Sequence, residues 1–428
     1  MRANEACGMT AGEDGVDSLF GRDVVEDPHD HYRWLRQNDP VHEVAGTGTF
    51  VVTPMDLIHQ VVGDHETYSS ISSRFLHLGD WPEPALRLAL SGLSDEDARV
   101  SVATADPPDH TRLRKVIVRR LSASNVQAME GEFRTLFTDA LSDVGEEGHL
   151  EWMSRVAEPL PMVMVARILG LPDALAPELK RQGYAMVERI SGFVPEERIQ
   201  LLEDEGANAL APVLDAYARA KEGAIDDQNG LIGIVKRAVD DQEITDLEAF
   251  GILSVIIAAG GESTTGLIGT AARILAEQPD LQDRLRREPD LIPAFVEEAL
   301  RYDPPFRGHY RVATRNTELG GTKIPAGSHL LLAWPAANRD ETAYDHPDQI
   351  QLDRHQPRRH VGFGWGIHLC AGAPLARMEA KVAIETLLTR APRFRLDPDQ
   401  LPLRYHPSLV VRRLTALPLI LGKTADDR

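Results

Sequence analysis

Apolar side chains recur three and four residues apart through most of the chain, and strand-like alternation is confined to short segments near its two ends. That pattern predicts a mainly α protein with a small β region on the C-terminal side and no internal repeat of solenoid length. Asp27 to Gln37 reads as a short helix, and Val41 to Val44 with Thr49 to Thr53 as a hairpin closed by Ala45-Gly46-Thr47-Gly48. A helical series then runs to Arg301. It is interrupted between Phe75 and Ser101, where glycine, proline, Trp81 and acidic residues follow no clear period, as in adaptable surface segments that carry binding contacts.

The clearest helix opens at Thr245-Asp246-Leu247-Glu248. This is a capping box, in which Thr245 and Glu248 satisfy each other's exposed backbone donors. The helix should continue to Glu277 and stop at Gln278-Pro279. Within it, Ala259-Gly260-Gly261-Glu262-Ser263-Thr264 sets poor helix formers and polar groups in an apolar element, which predicts a local distortion. Tyr310 to Trp334 alternates like strand, with turns at Gly320-Gly321 and Pro325-Ala326-Gly327, and Leu409 to Val411 and Leu417 to Leu421 repeat the pattern.

A chain of 428 residues has room for two ordinary domains or one large helical one. We expect a disordered polar tail over residues 1–17 and a single domain over 18–428. The longest apolar stretch, Gly251 to Gly260, is half of what a membrane-spanning helix needs, and the first residues lack the apolar core of a secretion signal. No membrane partner and a cytoplasmic location are therefore expected. A net charge of −20 disfavours nucleic acid as a partner, because a phosphate backbone would repel it. Cys7 and Cys370 form neither a disulfide framework nor a zinc spacing, and His29 and His31, two residues apart, do not share a helix face for a metal.

Cysteine chemistry must therefore rest on one thiol. Cys370 lies in Phe363-Gly364-Trp365-Gly366-Ile367-His368-Leu369-Cys370-Ala371-Gly372, just before a predicted helix from Ala373 to Arg390. Unpaired amides and the positive end of the helix dipole should stabilise a thiolate there and lower the thiol pKa. The glycines allow close backbone approach.

This loop, with Leu375-Ala376-Arg377 after it, resembles the cysteine-ligand loop of the cytochrome P450 family, the haem-thiolate monooxygenases. Further segments agree in order. Glu298-Ala299-Leu300-Arg301 resembles the family's ExxR pair, and Arg354 its third partner. Glu298, Arg301 and Arg354 should then form a buried structural triad that braces the cysteine loop, with Ile350 where the family commonly has Phe. The likeness spans Asp27 to the last strands and implies the P450 fold, a triangular helical prism with haem between a long distal helix and the helix after the cysteine.

By the same resemblance Cys370 is the metal ligand of haem b, and His110, Arg114, Arg311 and His368 meet the propionates. Ala259, Gly260, Phe363, Gly364 and Gly372 complete the cofactor contacts. Glu262 and Ser263 fall on the family's acid–alcohol pair, which relays protons for O–O cleavage, with Thr264 beside them; serine lacks the methyl that restrains threonine's rotamer. Substrate contacts fall in the Phe75 to Arg99 segment and on Tyr184, Phe193, Phe306, Arg307, His309, Tyr310 and Leu409. Arg112, Lys115, Arg119 and Arg120 share the His110 helix and would leave it partly exposed and positive, a face an acidic ferredoxin could meet.

The implied function is insertion of one oxygen atom from O2 into a small organic substrate. Electrons would come from NAD(P)H through a reductase and a separate ferredoxin or flavodoxin. Two alternatives stay open, oxidative coupling or ring formation without oxygen insertion, and a non-catalytic haem-bound ligand or gas sensor.

Overall fold

The computed structural model describes residues 21–72, 74–77, 87–90, 99–145, 147–224 and 229–422. Most of the predicted 75–101 segment and the tail over residues 1–17 lie outside them. Helices dominate, and four small sheets accompany them among the described residues.

The long helix runs unbroken from Asp246 to Glu277, opened by the capping box: Glu248 N–H donates to Thr245 Oγ1 at 3.3 Å, and Thr245 N–H donates back to Glu248 at 2.8 Å. The distortion expected at Gly260-Gly261 is absent. Those glycines serve packing instead. A Cβ on Gly260 would lie 2.7 Å from Val165, and one on Gly261 would lie 2.1 Å from the Met162 sulfur, so the helix Pro159–Leu169 approaches closer than any side chain would allow. By length and composition the long helix could cross a membrane, but 61% of its most apolar window is buried in this fold. It packs against the helices Ala176–Arg189, Pro159–Leu169 and Ala373–Arg390. One apolar cluster reaches from Ala105 to Leu421 through these elements.

The β region draws strands from both ends of the chain, where the sequence alternates, and joins them in shared sheets. Its largest sheet has the order Val41–Val44, Thr49–Val52, His329–Ala333, Gly308–Ala313, Tyr68–Ser69. The predicted hairpin is present, Val41 opposite Val52, and Thr49–Val52 pairs in parallel with His329–Ala333. Phe394–Leu396, Pro418–Leu421 and Gly148–Glu151 form a second sheet. Leu409 to Val411 is not a strand. Its backbone makes one isolated bridge, Val411 to Phe306, while Val410 O accepts from Arg307 N–H at 2.8 Å.

Candidate active site

Ala259 is exposed although it lies near the middle of a buried helix, and Ser263, one turn on, is half-buried. Ser263 Oγ donates to the Ala259 carbonyl at 2.7 Å, a back-bond that fixes the hydroxyl without a methyl. Glu262 is turned elsewhere. Its carboxylate accepts from Arg413 Nε at 3.1 Å, and Arg413 also reaches Glu158 at 3.1 Å. No hydrogen bond joins Glu262 to Ser263. Neighbouring helix positions point about 100° apart, and the ion pair holds the acid on its own face. Burial pushes the Glu262 carboxyl up by more than Arg413 pulls it down. Thr264 is buried, and Thr265 donates to the Ala157 carbonyl at 2.8 Å. Gly260, beside exposed Ala259, turns the side that would carry a Cβ toward Val165.

The Cys370 loop folds as the glycine pattern requires. Gly364 and Gly366 take φ of +71° and +68°, left-handed conformations that favour glycine, and the turn lets Cys370 N–H donate to Phe363 O at 2.9 Å. Gly372 caps the helix Ala373–Arg390. The amides of Gly372 and Ala373 donate to the Cys370 sulfur. Cys370 lies deep in the molecule yet keeps an open surface. Burial raises its thiol pKa, and the amides, Arg114 and Arg377 offset only part of that, so the expected lowering does not occur in the protein alone. A cation bound at sulfur would be needed to complete the thiolate.

Beside the loop, donors gather without an anion to receive them. The rings of His110 and His368 lie 4.2 Å apart, and His368 Nε2 meets Ser70 Oγ at 2.9 Å. His110 is buried, and its Nε2 has no partner. Burial, then Arg311, hold His368 down at about 2. Arg311 is buried, its pKa depressed by burial to about 10, and it donates only to its neighbour's carbonyl, Tyr310 O, at 2.7 Å. Asp106, the carboxylate that acts on it, is already taken by Ser69 and Ser70. Arg114 reaches Leu369 O, next to the cysteine. A buried guanidinium and an orphaned imidazole nitrogen are costly unless something charged completes them. Two carboxylates of a planar cofactor beside Cys370 fit that requirement.

Glu298, Arg301 and Arg354 meet as expected and are almost wholly buried: Arg301 Nε donates to Glu298 at 2.7 Å and Arg354 Nε at 2.9 Å. Gln351 N–H adds a third bond at 2.9 Å, while Ile350 packs on the main core. Sequence reasoning missed the adjacent Glu297, which takes Arg377 and His360. Two carboxylates in succession on a buried helix were the available signal.

The basic helix is less free than its composition implied. Arg112 clamps Glu248 and Asp109, and Arg119 meets Glu243 at 2.6 Å, while the exposed Lys115 has no ion pair among the described residues. Among the substrate candidates, Arg307 is buried, donates to Val25 O and interacts with Tyr32, while its Nε has no hydrogen-bond partner. Phe193, Tyr310 and Leu409 pack with Val25, Tyr32 and Leu35. Phe306 and His309 have ring centroids 5.1 Å apart. His309 Nδ1 accepts from Trp334 at 2.9 Å, and burial, aided by Arg311, holds the imidazole neutral with a pKa of about 4. Tyr184 lies 3.3 Å from Thr265 Oγ1, with Lys180 Nζ 5.2 Å and the Arg413 guanidinium 4.7 Å from the centre of its ring. A cavity of about 510 Å³ lined by Arg273, Leu401 and Tyr405 includes no residue named for this site.

Residues 209–416 match the family model described as Cytochrome P450. The chain is 36% identical over 422 residues to Cytochrome P450 144 of Mycobacterium tuberculosis, covering 98% of this chain and 94% of that protein. It is 30% identical over 406 residues to 6-deoxyerythronolide B hydroxylase of Saccharopolyspora erythraea, covering 91% and 96%. The crystal structure of CalO2 superposes with a TM-score of 0.82 at 27% identity, over 94% of this chain and 98% of that one.

Proposed function

The chain belongs to the cytochrome P450 family and is a monooxygenase with haem b as its cofactor, and on that premise we propose that Cys370 would hold the haem iron through its sulfur. The observation that carries the assignment is the combination at one loop of a deep thiol with an open surface, a buried guanidinium that donates to a neighbouring carbonyl, and a buried imidazole nitrogen with no hydrogen-bond partner. His110, Arg114, Arg311 and His368 would hold the two propionates. When bound, haem b supplies the activation of O2 and the oxidation of substrate.

The chain's own residues then bind, orient and deliver protons. Ser263, fixed by the Ala259 carbonyl, offers its oxygen as an acceptor at the exposed turn of the long helix. Glu262, on a different face of the same helix, holds or yields a proton under the control of Arg413. Phe306 and His309 supply an apolar face and a neutral imidazole whose Nε2 carries the proton, a contact suited to a substrate with a hydrogen-bond acceptor.

Residues 18–428 act as one haem-binding unit in this reading, in the cytoplasm, with electrons from a separate ferredoxin or flavodoxin. The reaction is insertion of one oxygen atom into a small organic molecule. Product analysis under isotopically labelled O2 with a surrogate ferredoxin and reductase tests it. Label in the product supports insertion; an oxidised product without label identifies oxidative coupling and overturns it.

A further inference from the structure

Glu297 is buried one residue before the carboxylate of the triad, and it reaches both arms of the Cys370 loop. On the entering arm, His360 Nε2 meets Glu297 Oε2 at 2.9 Å. His360 Nδ1 accepts from Gly362 N–H at 3.1 Å, which leaves Nε2 as the donor toward Glu297 and ties the start of the loop to it. On the leaving arm, Arg377 donates to the same carboxylate through Nε at 2.6 Å and Nη2 at 3.1 Å. This two-pronged contact fixes direction as well as distance.

The two arms also touch each other. The Arg377 guanidinium lies 4.5 Å from the centre of the Phe363 ring, and Phe363 O accepts the N–H of Cys370 at 2.9 Å. One carboxylate therefore closes a ring of contacts from His360 through Phe363 and Cys370 to Arg377. Glu298 serves a different segment, since its partners Arg301, Gln351 and Arg354 lie outside this loop. We propose that Glu297 is the positioning residue of Cys370, holding both arms of the loop so that the sulfur keeps the place and direction needed to bind iron. The proposal rests on the reading of Cys370 as the haem ligand.

The test follows two signals of the full-length haem protein in graded urea: the far-red Soret band of the reduced carbon monoxide complex, which reports thiolate ligation, and far-UV circular dichroism, which reports helix. In Glu297→Gln the thiolate band should disappear about tenfold faster than in the wild type at a fixed urea concentration, the factor expected from losing one charge-assisted hydrogen bond, while the helical signal persists. Glu297→Asp should recover part of the difference. Glu130→Gln is the structural control, because Glu130 binds Lys381 on the same helix at 2.8 Å without touching the loop; it should move both signals together. If Glu297→Gln does not retain haem, Arg377→Gln, which cuts only the leaving arm, is read the same way. Loss of both signals in step, or a thiolate band as durable as the wild type's, overturns the role of Glu297. A wild type without the thiolate band overturns the assignment of Cys370 itself.

Discussion

Arg413 holds Glu262 at 3.1 Å, tying the acid of the long helix to the C-terminal segment rather than to the hydroxyl of Ser263 beside it in sequence. Both partners are buried, so removing one leaves the other uncompensated. Arg413→Gln should cost about 3–5 kcal/mol in urea unfolding. Glu262→Gln should cost less, because Arg413 keeps Glu158, yet it should lower coupled product formation by about a hundredfold with peroxide rising in proportion. Equal losses of stability in the two variants would contradict this division.

Ser263 tests the other half of proton delivery. Its bond to Ala259 O fixes the hydroxyl, so Ser263→Thr should leave the ratio of product to NAD(P)H consumed close to the wild-type value. Ser263→Ala should divert electrons to peroxide. A well-coupled Ser263→Ala would transfer the role to another donor.

Haem retention separates two arginines of one helix. Arg114 points to the Cys370 loop, whereas Arg112 clamps Glu248 at the start of the long helix. Arg114→Ala should lose haem to an apo-globin scavenger faster than the wild type. Arg112→Ala should keep its haem and lose about 1 kcal/mol of stability, the value of a partly exposed bidentate pair. Equal rates of haem loss would mean that the helix faces are assigned wrongly.

Local chemistry explains what could be read in advance. The capping box of Thr245 and Glu248, the helix spacing of Glu298 and Arg301, and the glycines around Cys370 act over a few residues, and the structure has all three. Pairs between distant segments leave no such trace. Glu262 with Arg413 and Arg112 with Glu248 join parts of the chain more than a hundred positions apart, and they changed the expected relay and the expected free basic face. Gly260 and Gly261 were ambiguous for another reason: a distortion and a close helix contact call for the same residue, and the contacts with Val165 and Met162 decide for packing.

Glu297 gives a signature in acid. Burial works to raise its pKa, but hydrogen bonds from His360 and Arg377 outweigh that and hold it at about 2, against an ordinary 4.5. A carboxyl depressed in the fold contributes stability above its unfolded value and loses it as pH falls toward the folded one. The advantage of the wild type over Glu297→Gln in urea unfolding should therefore be constant from about pH 7 to about pH 5 and shrink below about pH 4.5. An advantage unchanged at about pH 3 would show that the carboxylate's charge is not what stabilises the loop.

The most direct measurement is the spectrum of the reduced carbon monoxide complex in the wild type, Cys370→Ala and Cys7→Ala. Thiolate ligation by Cys370 predicts a far-red Soret band in the wild type and in Cys7→Ala, and none in Cys370→Ala. A band that survives in Cys370→Ala, or vanishes in Cys7→Ala, would contradict the assignment on which the site rests.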